Sequence, residues 1–73
     1  MREKKYRKLR GRVVESGYTL GTFAEAIGLT RTSLANKLYG RSMFTVIDIE
    51  RACSVLNIQK DEIGNFFFPN DSP

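Results

Sequence analysis

Apolar residues recur along the chain at spacings of three and four, the period of a helix with one buried face. No stretch alternates apolar and polar residues over five or more positions between turn residues. The pattern predicts an all-α chain of five helices. A first segment from about Tyr6 to Glu15 aligns Tyr6, Leu9 and Val13 on one stripe, with bases on the other side, and Ser16-Gly17 ends it. Thr19 offers a hydroxyl cap to a second helix, in which Leu20, Phe23, Ala24 and Ile27 share a face and which Gly28 stops. The third helix opens at Thr30 and runs to about Tyr39, before Gly40; Leu34 and Leu38 form its inner stripe, and its other residues are polar or basic. A fourth starts after Thr45, with Asp48 three residues on in capping-box register, and is expected to bury Val46, Ile49, Cys53 and Leu56 before Asn57 ends it. A short fifth turn around Lys60 to Asn65 seats Ile58 and Ile63, and Phe66-Phe67-Phe68-Pro69 closes the ordered part. The expected organisation is a basic arm over residues 1–5, one domain over 6–68 and a frayed tail over 69–73.

Composition narrows the function. A chain of 73 residues, 41% apolar and 27% charged, buries a small core on which an elaborate catalytic pocket is hard to build. No histidine and a single cysteine, Cys53, remove the usual zinc sets, the Ser-His and Cys-His nucleophile pairs and an intrachain disulfide. Cys53 falls on an inner stripe and reads as a small core residue. Asp48, Glu50, Asp61 and Glu62 read as solvated faces and helix-dipole partners, not as an active site. The expectation is therefore binding without catalysis, metal, cofactor or small-molecule ligand. No apolar run approaches the ~18 residues of a membrane span, and no apolar signal core follows the basic N-terminus, so the expected location is cytoplasmic.

The net charge of +4 is unevenly spread: residues 1–12 carry +6, residues 13–42 carry +1 and residues 43–73 carry −3. A basic front on an acidic back is the footprint of a polyanion binder that presents one face. Thr19 to Gly40 sharpens this, since two short helices joined by Gly28-Leu29-Thr30 have the spacing of a DNA-reading helix-turn-helix. In such a pair Ala24 is small where the second helix crosses, Gly28 turns the chain, and Leu34 locks the two together, with Phe23, Ile27 and Leu29 completing the lining.

The runs Gly17-Tyr18-Thr19, Phe23-Ala24-Glu25-Ala26-Ile27-Gly28, Arg31-Thr32-Ser33-Leu34 and Lys37-Leu38-Tyr39-Gly40 resemble the lambda-repressor-like, Cro-type helix-turn-helix regulators, most of all the short phage- and prophage-derived ones. Lys8-Leu9-Arg10-Gly11-Arg12 and Phe66-Phe67-Phe68 are similar to that group too, so the resemblance covers about Tyr6 to Phe68. It implies a compact five-helix domain that binds double-stranded operator DNA as a homodimer and regulates transcription, as a repressor more often than an activator. It also implies that the third helix enters the major groove, with Arg31, Thr32, Ala35 and Asn36 against base edges. The chemistry fits, because Arg grips guanine, Asn grips adenine, and Thr or Ala meets a thymine methyl. Phosphate contacts are expected from Thr30, Ser33, Lys37, Tyr39, Arg41 and Ser42, and from Lys4 and Lys5 in the arm.

The chain departs from the family where many members carry a glutamine that ties a phosphate: Leu20 stands there, followed by Gly21. Lys37 likewise occupies a place often held by an apolar residue. These departures support an alternative, an interaction module that modulates a partner repressor through Leu20, Gly21 and the Phe66, Phe67 and Phe68 cluster. Three adjacent rings cannot all face inward, so at least one is expected to pack back on helix one near Tyr6, leaving another as a candidate dimer surface.

Overall fold

Helix ends along this chain are set by threonines and by residues in the left-handed backbone region. The computed structural model describes residues 6–68. In it α1 spans Arg7–Glu15, α2 Leu20–Ala26, α3 Arg31–Leu38, α4 Val46–Leu56 and α5 Ile63–Phe67, the last entered through a 3₁₀ turn over Lys60–Glu62. No strand occurs among the described residues, and none of their helices is long and apolar enough to cross a membrane. The arm expected over 1–5 and the tail expected over 69–73 lie outside the described residues.

Thr19, Thr30 and Thr45 each take extended backbone and accept a hydrogen bond on the side-chain oxygen from an N–H three residues on. At Thr45 the bond is returned, since the Thr45 N–H donates to Asp48 Oδ2 at 2.9 Å while the Asp48 N–H donates to Thr45 Oγ1 at 3.1 Å. Such reciprocal caps satisfy two orphan donors together. Tyr18 packs edge-on against Phe23, ring centres 6.0 Å apart, the apolar staple that fixes how the chain enters α2.

Gly28 has φ +80°, and its N–H donates to Glu25 O while the Leu29 N–H donates to Ala24 O at 2.8 Å. This is a Schellman ending, which a residue with a Cβ adopts only with strain. Gly40, φ +83°, ends α3 in the same way, with the Arg41 N–H on Asn36 O at 2.8 Å. Between these two turns the chain has little choice of path.

The core draws on every helix: Leu9 and Val13, Phe23 and Ala24, Leu34 and Leu38, Ala52 and Leu56, and Phe66 and Phe67, with Ile27 and Ile58 from the connections. α2 packs most extensively on α3, and α1 closes against α5. Ala24 is fully buried, as close approach of two helices requires. The aromatic cluster packs inward at two of its three positions, which narrows the expected partner surface to Phe68. Phe66 lies under Lys8 and Arg12 of α1, at 5.2 and 5.5 Å, and Phe67 stacks edge-on with Phe44, which does the same with Tyr6. Both rings are buried in the monomer, and of the three only Phe68 keeps an exposed side chain.

α4 also departs from expectation. Its buried face centres on Asp48, Ala52 and Leu56, with Ile49 and Cys53 half-buried beside them, and Val46 is 72% exposed. The cause is an ion pair. Lys37 Nζ reaches Asp48 Oδ2 at 2.9 Å, with both side chains largely enclosed, and also donates to the Met43 carbonyl at 2.9 Å. The inward carboxylate turns α4 away from the face its apolar residues alone predict.

Burial by itself would raise the Asp48 pKa, but hydrogen bonds from Thr45 and the Lys37 ammonium outweigh it and hold the carboxyl below its ordinary range. Depression in the folded state gives stability that is complete above the unfolded value, about 3.9, and lost as pH falls through the folded one. In urea titrations from pH 7 to 3, we expect stability to drop below about pH 4 and to drop less in Asp48→Asn. At pH 7 that variant should be about 2 kcal/mol less stable, between the values for exposed and buried pairs. Equal profiles in the two proteins would mean that Asp48 does not carry the acid sensitivity.

Candidate nucleic-acid interface

At 100° per residue, positions 31, 35, 32 and 36 of α3 fall within one arc of about 140°, and positions 33, 37, 34 and 38 fill the opposite side. The burial follows that division: Leu34 and Leu38 are enclosed, Arg31 and Thr32 are exposed, and Ala35 and Asn36 are half-buried at the edge of the free face. The structure thus gathers Arg31, Thr32, Ala35 and Asn36 on one side of α3. The helix has eight residues, about 12 Å at 1.5 Å per residue.

No acidic residue lies on α3, and the sole salt bridge among the described residues joins Lys37 to Asp48, so Arg31 has no carboxylate partner there. A Cβ built on Gly21 would meet Arg31 Cδ at 3.9 Å, which places the stem of Arg31 along the start of α2. Leu20, at the position of the absent glutamine, is half-buried against the core, so it is largely withdrawn from the surface that the alternative reading gave it.

The flanks are more mixed. The Thr30 oxygen accepts the Ser33 N–H at 3.0 Å as the cap of α3, which leaves the hydroxyl proton to donate outward; Ser33 itself is half-buried. Tyr39, Arg41 and Ser42 are exposed beyond the far end of α3. Arg41 Nη1 donates to Asn36 Oδ1 at 3.4 Å, a long bond that a better acceptor would displace. Lys4 and Lys5 lie outside the described residues. Lys37 is corrected: its charge is neutralised by Asp48 and its ammonium is enclosed, so it holds α3 to the start of α4 instead of facing a phosphate.

Two further cations serve the fold. Arg12 donates through Nε and Nη2 to the carbonyls of Leu56 and Asn57, at 3.1 and 3.0 Å, closing the end of α4. Arg51 Nη1 reaches the Ile27 carbonyl at 3.4 Å, beside Gly28. Arg10 is different. Its guanidinium carbon stands 5.7 Å from the centre of the Tyr39 ring, and that of Arg41 stands 5.9 Å from the same ring. No sequence pattern singles out Arg10, because the contact joins α1 to the residue after α3.

Cys53 is half-buried and its thiol is pushed up by burial, which disfavours the reactive thiolate. No cluster of three or more His, Cys, Asp or Glu side chains suited to a metal occurs among the described residues.

Residues 4–70 match the family described as protein of unknown function (DUF739). The chain belongs to that family. No curated protein matches it. The match spans every helix of the DUF739 domain described here, so α3 and its free face lie inside the family's own boundaries.

Two expectations follow for this DUF739 domain. Lys37→Ala should cost about 2 kcal/mol of stability by stranding Asp48, and any duplex affinity of the folded variant should keep the wild-type salt dependence. A salt slope reduced by about 0.9 would restore Lys37 to the phosphate contacts. Gly21→Ala should raise stability by about 0.5–1 kcal/mol, since the new methyl finds ordinary contacts and the helix loses its most flexible residue. A melting temperature equal to or below the wild type would count against the packing of Arg31 over α2.

Proposed function

We propose that this chain is a sequence-specific double-stranded DNA-binding transcriptional regulator, a repressor or Cro-like protein of phage or prophage type, with α2 and α3 acting as its helix-turn-helix. The observation that carries the reading is the free face of α3, where Arg31, Thr32, Ala35 and Asn36 stand together with no carboxylate among them. These are the side chains that distinguish base pairs from the major groove: a guanidinium for guanine O6 and N7, an amide for adenine N6 and N7, and methyls for thymine. In this reading Thr30, Tyr39, Arg41 and Ser42 grip the backbone on either side, and no catalysis, metal or cofactor takes part. A helix of about 12 Å covers about four base pairs at 3.4 Å each, so two copies are required for a useful operator.

One observation favours a second reading, contact with a partner repressor: Met43, Val46 and Ile47 are exposed apolar side chains just beyond α3. Selection from a randomised duplex pool beside a sizing column separates the two. Enrichment of a two-fold symmetric motif supports the regulator, and no enrichment supports the partner module. In the enriched motif, Arg31→Ala should cost about 1–3 kcal/mol and relax the preference at one base pair per half-site. An unchanged preference would mean that α3 does not dock through this face.

A further inference from the structure

We propose that Arg10, Tyr39 and Arg41 form a cradle for one phosphodiester of the duplex backbone, next to the base-reading face. The inference rests on the duplex-binding reading and adds to it a site on α1. Two guanidinium carbons, 5.7 and 5.9 Å from the centre of one aromatic ring, are brought together from elements about thirty residues apart in the chain. Cation–π contact with Tyr39 holds each of them, yet neither has a carboxylate partner among the described residues. Two cations held at one ring without a carboxylate partner favour an anion beside that ring, and a planar guanidinium matches the oxygens of a phosphate.

The cradle is also preorganised. Tyr39 and Arg41 sit on the Schellman ending at Gly40, where the Tyr39 N–H donates to Ala35 O at 2.9 Å and the Arg41 N–H to Asn36 O at 2.8 Å. Arg10 is carried by α1, its N–H on Tyr6 O at 2.9 Å. Tyr39 is 61% exposed despite both arginines, so the side chain they flank remains accessible to a ligand. Arg41 further links the cradle to base reading. A phosphate that draws Arg41 away from Asn36 Oδ1 releases that amide oxygen, which adenine recognition uses.

The test measures the affinity of the full chain for fluorescent duplexes, one of random sequence and one bearing the selected motif, across a salt series, for the wild type, Arg10→Gln and Arg41→Gln. Each variant is first checked for fold by circular dichroism. A parallel NMR titration of the wild type follows the arginine Nε–H signals, so the result does not depend on the variants folding. We expect each variant to lower the slope of log affinity against log salt by up to about 0.9 per bound protomer, the share of one phosphate, on both duplexes, with the base preference of Arg10→Gln retained. The Arg10 and Arg41 Nε–H signals should move on adding duplex. Slopes unchanged in the variants, or stationary signals with duplex bound, overturn the cradle while leaving the regulator reading intact. Equal shifts on adding inorganic phosphate at matched concentration assign the site to free anions and overturn it as well. Reduced slopes in a protein that shows no base preference support the cradle and reject the sequence-specific regulator. No salt-dependent duplex affinity in the wild type overturns both.

Discussion

An eight-residue helix has no stability of its own in water, because the cost of nucleation is recovered only over longer runs. α3 is such a helix, with Leu34 and Leu38 as its fully buried side chains. Its existence depends on constraints applied from outside. Thr30 caps its first turn, glycines at 28 and 40 fix the paths into and out of it, and Lys37 bonds to Asp48 and to the Met43 carbonyl. Since these devices act on the ends and the inner side, the outer side is released from structural duty. Arg31 and Thr32, the exposed pair on that side, can be substituted with small effects on stability, which is the property a surface needs if its sequence is to encode a preference.

The charge of the chain divides by role. Lys37, Arg12 and Arg51 neutralise a carboxylate or close helix ends, and Lys8 lies over Phe66. Arg10, Arg31 and Arg41 have no carboxylate partner among the described residues. A count of basic residues treats them all alike, although the ion-paired and enclosed Lys37 is withdrawn from a polyanion. The partition also explains why α1, the most basic helix, still packs tightly. Lys8 and Arg12, one turn apart, lie against the Phe66 ring, so their stems cover apolar surface while their charges reach a π-face or a carbonyl.

Most helix boundaries were legible in the sequence because the signals are local: a threonine three residues before the N–H it receives, and a glycine where φ must be positive. The stripes of α1, α2 and α3 were legible for the same reason. The misreadings share a different origin. Apolar periodicity points Val46 inward because it ignores Asp48, whose burial depends on a lysine eleven residues away. A lysine on a basic helix looks solvated until its partner is seen, which is why the sequence places Lys37 at a phosphate. Which rings of the aromatic cluster face inward is not legible locally, because Phe44, Lys8 and Arg12 supply the rings and stems that enclose Phe66 and Phe67. Arg10 was invisible as a separate group because its partner ring lies on another helix end.

The withdrawal of Phe66 and Phe67 into the monomer bears on how two copies would assemble. A stable protein interface needs about 800 Å² from each partner, with large apolar anchors near its centre. The exposed large apolar side chains among the described residues, Val14, Tyr39, Met43, Val46, Ile47 and Phe68, come from α1, the α3–α4 region and the C-terminal end, with only Met43, Val46 and Ile47 close together in the chain. For a duplex reader this favours assembly on the nucleic acid. Two domains bound to neighbouring half-sites gain a high effective concentration, so a weak contact between them is enough to couple their binding. The buried aromatic rings serve the monomer, and under the proposed duplex-reading role the pairing energy would come largely from an operator that both copies read.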